Sequence, residues 1–301
     1  AELRLAAESA LVARGAALDE GHRAERPVGA PEPWSGGVPK HLSPRVLVDG
    51  EEVCVLWKPP GWMAPDDSLF LEGEDGDAAE TSRSPGRPLW EWVRREFGDR
   101  HPVAANPAVG YGMVHRLDTD TSGALLCAKT YRGYLQARME FAGRRVQKVY
   151  VCLCHGHLPE APRTLREPLA RSLSVDGCWR TTVSEVGQRA ATSVLEVAHL
   201  YGPGGEALSL ARLQLHTGRT HQIRAHLRAR GHPLVADELY GGRGQAWCPR
   251  MFLHACRLGL ELGDGGERVE VSLPLPPDLR GALGAAAHCD GRSRSLARGV
   301  Y

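Results

Sequence analysis

No stretch of the 301-residue chain approaches the roughly 18 consecutive apolar residues that a membrane-spanning helix requires, and the first residues lack the apolar core of a secretory signal. A membrane partner is therefore not expected. The eight cysteines, at 54, 127, 152, 154, 178, 248, 256 and 289, include no Cys-x-x-Cys pair. This argues against a zinc ribbon, and their scatter argues against a disulfide framework, so reduced thiols in an intracellular protein are expected. Neither sign of charge dominates: 37 Lys and Arg against 36 Asp and Glu give +1, a sum that names no partner. No internal repeat is visible. The chain begins with Ala rather than Met, as a trimmed start would. An organellar import segment would suit its Ala and Arg, but Glu2, Glu8, Asp19 and Glu20 fit one poorly, so cytoplasm, mitochondrion and plastid all stay open.

What is present is enough apolar material for a sizeable core, 42% of residues, and an uneven charge distribution. Six basic residues between Lys129 and Lys148 face one acid, Glu140, and five arginines between Arg212 and Arg230 face none. Two such blocks on a nearly neutral chain would suit a phosphate-lined partner. By contrast "DDSLFLEGEDGDAAE" at 66–80 is acidic and Gly-bearing, and reads as a solvated insertion.

Periodicity and punctuation divide the chain into three. Residues 1–44 combine a weak helical pattern with a Pro/Gly linker; 45–285 form the folded domain; 286–301 read as a disordered tail. Inside the domain, strands are expected at "RVLVD", "VCVLW", "ALLCAK", "VQKVYVCLCHG", "TTVSEV", "ATSVLEVAHLYG", "ALSLARLQLHTG" and "RVEVSLPLPPDL". Helices are expected at "LWEWVRREFG", "TYRGYLQARMEFAG" and "HQIRAHLRARG", each closing at a glycine. Strands outnumber helices and the turns suit antiparallel neighbours, which gives an α+β fold with a mixed, mainly antiparallel central sheet and flanking helices.

Two stretches concentrate the chemistry. In "MVHRLDTDTSGALLCAKT", 113–130, Asp118 stands at the mouth of an apolar strand, where a half-buried carboxylate is costly unless a cation and hydrogen bonds offset it. By itself this is equally a turn-capping Asp. In "LHTGRTHQIRAHLRARGHPLVADELYG", 215–241, Arg224 and Arg228 lie four apart on an expected helix and share a face with His221, while Ile223 and Leu227 face elsewhere. His216, His221 and His226 are five apart, about 140° of rotation per step on a helix, so they do not converge on one metal. On an extended stretch Arg116, Asp118 and Asp120 alternate onto one side, which raises the rival reading of a paired-carboxylate glycosidase. Adjacent carboxylates on one strand would repel rather than flank a sugar bond.

These two stretches, with "VCVLWKPPGW" upstream and "KVYVCLCHG" between, resemble the successive motifs of the RluA-type pseudouridine synthases over about residues 45–280. The resemblance implies an enzyme, working without metal or cofactor, that isomerises uridine to pseudouridine in structured RNA, ribosomal or transfer. It implies a central RNA-binding cleft and a monomer. The family's catalytic Asp falls on Asp118, as nucleophile at the anomeric carbon or as base at the neighbouring ring proton. Its basic partner falls on Arg224, and its active-site Tyr on Tyr150, which could stack on uracil and assist proton removal from carbon 5. By strand alternation Tyr150 shares a side with Lys148 and points away from the core-like face of Val149, Val151 and Leu153. Arg116 is placed to fill the gap left by a flipped base or to hold a phosphate. Arg219 and His221 fall at the substrate, and Leu253, with His254, in the last motif beneath it. "VADELYG", "KPPGW" and the 66–88 insertion depart from the family pattern without touching the catalytic set. The alternative reading is a catalytically inactive RNA-binding or ribosome-assembly factor of the same fold.

Overall fold

The computed structural model describes residues 42–65, 86–160, 163–173, 179–263 and 265–289, all within the unit Glu32–Tyr301. The expected N-terminal helix, the whole acidic stretch 66–80 and the last twelve residues of the expected tail lie outside the described residues. The elements run β1 (Arg45–Asp49), β2 (Val53–Lys58), β3 (Trp62–Met63), β4 (Arg87–Pro88), α1 (Leu89–Phe97), β5 (Ser122–Ala128), α2 (Tyr131–Ala142) and β6 (Gln147–His155). There follow β7 (Arg163–Leu165), β8 (Leu169–Leu173), β9 (Trp179–Val183), β10 (Thr192–Tyr201), β11 (Ala207–Leu215) and α3 (Gln222–Ala229). The described chain ends with β12 (Leu253–Glu261), β13 (Arg268–Ser272), α4 (Pro277–Gly284) and β14 (Ala287–His288).

Among the described residues, ten strands form one sheet, with the path β1-β2-β5-β12-β6-β11-β10-β14; β13 pairs with β12 and β7 with β10. Within it β5 and β12 pair in parallel, through His254 opposite Ser122 and Ala255 opposite Gly123, and the other pairings are antiparallel. The sheet is thus mixed and mainly antiparallel, as the turn pattern predicts. β8 and β9 stand apart as a two-stranded hairpin.

The continuous apolar runs of the central strands follow from burial on both faces. Along β6, Tyr150, Cys152 and Cys154 join a core with Leu213, Leu253, α1 and Ile223 and Leu227 of α3, while Val151 and Leu153 face a second core under α4. Further along the sheet, Val53 and Val55 of β2 pack with Leu126, Ala128 and α2 residues Tyr134 and Ala137. Alternation thus places Tyr150 as expected relative to its neighbours. The side it faces is nevertheless also core, because α1 and α3 cover it.

Several readings are corrected. "MFLHAC", read only for its motif, opens the nine-residue strand β12, and "LARSL" pairs with "WRTTV" to make the hairpin. α4 and β14 follow the strand expected to be last. α3 begins at Gln222, with His221 just before it in a left-handed conformation, φ 51°, so His221 is not on the helix face. Its cationic face does not exist as expected either: Arg224 is buried and Arg228 exposed. Buried Asp237 and half-buried Asp118, described below, pull Arg224 inward.

Candidate active site

Asp118 sits in a tight turn before β5, closed by the Thr121 N–H donating to the Asp118 carbonyl at 3.0 Å. Two neighbours hold this turn. Lys58, wholly buried at the end of β2, donates to the carbonyls of Pro59, Trp62 and Thr119 at 3.1, 2.7 and 2.9 Å. Arg250 donates to the Asp120 carbonyl at 2.8 Å and to Ser122 Oγ at 2.8 Å, and is itself paired with buried Asp278 at 2.7 Å. The turn breaks strand alternation, so Asp120 is exposed and does not line the cleft beside Asp118. The paired-carboxylate arrangement is therefore absent.

Arg224 comes from the first turn of α3 and meets this loop across 106 residues of sequence. Its Nη1 donates to Asp118 Oδ2 at 3.1 Å, while Nε and Nη2 donate to Asp237 Oδ2 and Oδ1 at 2.8 and 2.9 Å. The fork on Asp237 is the stronger geometry. Burial alone would push the guanidinium pKa down, but the hydrogen bonds and charge of Asp237, with Asp118 beyond, raise it well above the ordinary value. The side chain of Asp237 is 1% exposed and that of Asp118 16%. One guanidinium thus serves two carboxylates, and the less enclosed one faces the cavity. Tyr240 completes the support: its ring centre lies 4.7 Å from the Arg224 guanidinium, and its hydroxyl accepts from the Thr181 N–H of β9 at 2.8 Å and lies 3.0 Å from His221 Nδ1.

The cavity is a cleft of about 1140 Å³. That exceeds the ~300–1,000 Å³ typical of small-molecule pockets. Arg116, Asp118, Tyr150, Arg219, His221, Arg224 and Leu253, the seven residues singled out from sequence, all line it. Tyr150 is held a neutral phenol: burial first, and then the charge of Asp118, push its pKa above the ordinary value. Gln222 fixes the loop carrying Arg219 by accepting from the Thr217 hydroxyl at 2.6 Å and the Arg219 N–H at 3.1 Å.

The basic blocks divide on folding. Of the first, Lys129 pairs with Asp49, Arg132 with Glu52 and Arg145 with Glu140, while Arg138, Arg144 and Lys148 line the cleft. Of the second, Arg212 pairs with Glu196 and Arg230 with Glu167. Among the described residues the cleft collects Arg116, Arg138, Arg144, Lys148, Arg171, Arg219 and Arg224 around a single acid, Asp118. A chain of near-zero net charge therefore has a strongly cationic hollow, which suits a polyanion. Burial pushes the Lys148 ammonium down to about 8. Among the described residues no three of His, Cys, Asp and Glu gather to hold a metal, and no helix is long and apolar enough to cross a membrane.

Sequence reasoning missed Asp237, Tyr240, Lys148, and the hairpin residues Arg171 and Trp179. Asp237 and Tyr240 lie in "VADELYG", noted only as a departure; an acid shortly after a helix carrying a buried arginine was the available signal. Lys148 carried one too, as the strand neighbour of Tyr150 on its own face.

Comparison with known proteins bears on this geometry. Residues 92–229 match the family model described as RNA pseudouridylate synthase. An uncharacterized RNA pseudouridine synthase of Chloroflexus aurantiacus is 36% identical over 199 residues, covering 65% of this chain and 60% of that protein. A ribosomal large subunit pseudouridine synthase C of Pasteurella multocida is 34% identical over 179 residues, covering 58% and 53%. The chain thus spans a little over half the length of these curated relatives. The structure of human RNA pseudouridylate synthase domain containing 1 superposes with a TM-score of 0.60 at 26% identity, covering 86% of this chain and 94% of that one.

Proposed function

We propose that the chain is a member of the RNA pseudouridylate synthase family, which residues 92–229 match, and that it isomerises uridine to pseudouridine in RNA, with Asp118 as the catalytic group. The observation that carries the reading is the 3.1 Å contact between Asp118 and Arg224 at the floor of a cationic cleft. In the reaction the bond from C1′ to N1 breaks and one from C1′ to C5 forms. A proton leaves C5 and one is taken up at N1, so nothing is consumed. The target base lies in a stack and must be extruded, at a cost of a few kcal/mol.

Asp118 acts at the sugar, by attack on C1′ or by removal of the neighbouring ring proton. Arg224, anchored by Asp237, holds that carboxylate in place without neutralising the site, because two acids share one guanidinium. Tyr150 and Leu253 form the walls against which the freed uracil turns. As a neutral phenol, Tyr150 offers its ring and one hydroxyl proton rather than an ionised base. Arg116, beside Asp118 at the cleft, fills the vacated stack or binds a flanking phosphate, and Arg219 and His221 border the nucleotide. The substrate is structured RNA, ribosomal or transfer; the name of the Pasteurella relative supports the former.

Tritium release from transcripts labelled at uridine C5 tests the reading. Wild type is expected to release label, and Asp118→Asn, nearly isosteric, to release none while still binding RNA. Binding without turnover in both would instead support the inactive RNA-binding or assembly factor.

A further inference from the structure

The C-terminal end of α2 carries an arginine where the backbone favours glycine. The helix closes in a Schellman turn: the Arg145 N–H donates to the Glu140 carbonyl at 3.0 Å and the Arg144 N–H to the Phe141 carbonyl at 3.1 Å. Such a turn requires a left-handed residue, most often glycine; here it is Arg144, with φ 57°. The glycine stands one residue earlier, with Gly143 at φ −73°. A Cβ at Gly143 would lie 2.3 Å from Arg145 Nη1, the movable end of a long side chain, so sterics do not demand glycine there.

The two adjacent arginines do different things. Arg145 turns back over Gly143 to pair with buried Glu140 at 2.7 Å. Arg144 is exposed, forms no side-chain hydrogen bond or ion pair with a described residue, and lines the cleft with Arg138 and Lys148. The β8–β9 hairpin also lines the cleft, through Leu169, Ala170 and Thr181, with the Arg171 guanidinium 5.4 Å from the Trp179 ring centre. The end of α2 and the hairpin thus both bring cations to the cleft, and the hairpin adds an indole ring. An extended RNA strand offers phosphates to such cations and base faces to such a ring.

We infer that Arg144 is a dedicated phosphate-binding residue for the strand that carries the target uridine, kept in an unfavourable backbone conformation because only from that turn does its guanidinium reach into the cleft. This rests on the reading of RNA as substrate. A residue that served the turn alone would be better as glycine, so stability and binding move in opposite directions under one substitution.

The experiment compares wild type, Arg144→Gly, Arg144→Lys and Arg95→Gln, the last an exposed arginine of α1 outside the cleft. Thermal melting is combined with binding of fluorescein-labelled ribosomal and transfer RNA transcripts across a salt series, and with tritium release. Arg144→Gly is expected to melt at or above the wild-type temperature, to bind about tenfold more weakly at low salt, and to show a salt slope shallower by about 0.7–0.9. The activity loss should fall on KM. Arg144→Lys should recover the slope, and Arg95→Gln should match wild type throughout. Wild-type affinity and slope in Arg144→Gly, with wild type itself active, would overturn this inference alone. Absence of both RNA binding and tritium release in wild type would overturn the reading beneath it.

Discussion

Asp237 determines the behaviour of the site more than its distance from the chemistry implies. It takes two of the three hydrogen bonds Arg224 makes to carboxylates, and is the more deeply buried acid. Removing its charge leaves a buried guanidinium with only Asp118 opposite, and loss of one partner of a buried pair typically costs roughly 3–5 kcal/mol. Asp237→Asn keeps the volume and one acceptor, so about 3 kcal/mol of destabilisation is expected in urea unfolding, at the low end of that range. Tritium release should fall with it, because Arg224 is then free to neutralise Asp118. Wild-type stability and turnover in Asp237→Asn would mean that Arg224 is positioned by Tyr240 and helix packing instead. That Asp118 needs a cation was legible in sequence, since a half-buried acid at a strand mouth is costly alone. That the cation itself needs a second acid was not, because Arg224 reads as part of an exposed cationic face until its burial is known.

Gly123 shows the same limit at the level of an element. In "TDTSGALLCA" it looks like turn punctuation, yet it is the second residue of β5, with φ 136°. It lies at the parallel contact with β12, where a Cβ would come within 2.3 Å of the Ala255 carbonyl oxygen. Gly123→Ala must therefore push β5 away from β12, at roughly 1–3 kcal/mol for the forced repacking. Because the Asp118 turn leads directly into β5, turnover should drop as well. A lowered melting temperature and reduced tritium release are expected together; an unchanged melting temperature would show that the two strands separate without penalty. The strand β5 was visible as an apolar run, but its partner β12 was not read as a strand at all. Its parallel contact joins segments about 130 residues apart, and nothing local in "MFLHAC" specifies which edge it will meet. Of the hairpin, "TTVSEV" anticipated part of β9, but β8 and its pairing escaped in the same way, since β8 is short and the hairpin's link to the site, Thr181 to Tyr240, is purely tertiary.

For the molecule as a whole, the cleft's charge has a consequence for stability against pH. Burial holds Lys148 near 8, below its ordinary 10.5. Between those values the unfolded chain keeps a proton that the folded protein has released. Stability therefore gains from this group as pH rises from about 8 to 10.5, and below 8 the group carries its full burial cost. In paired urea titrations, Lys148→Met is expected to be favoured over wild type most at pH 7, with the advantage shrinking towards pH 10. A difference independent of pH would show that Lys148 is solvated enough to keep its ordinary pKa.

The sequence by itself determined the sheet's character and one apolar face of its central strands, and its motifs singled out the seven residues that line the cleft. The first two depend on period and punctuation, and the third on the resemblance of short motifs, all of which are written locally. Only the tertiary structure decided which cations face the cleft and which are spent on Asp49, Glu52, Glu140, Glu167 and Glu196. It alone supplied Asp237 and Tyr240 as the frame of Arg224. Ion pairing and burial are properties of surfaces brought together by the chain's long-range path, and no local pattern encodes which charge will find which partner.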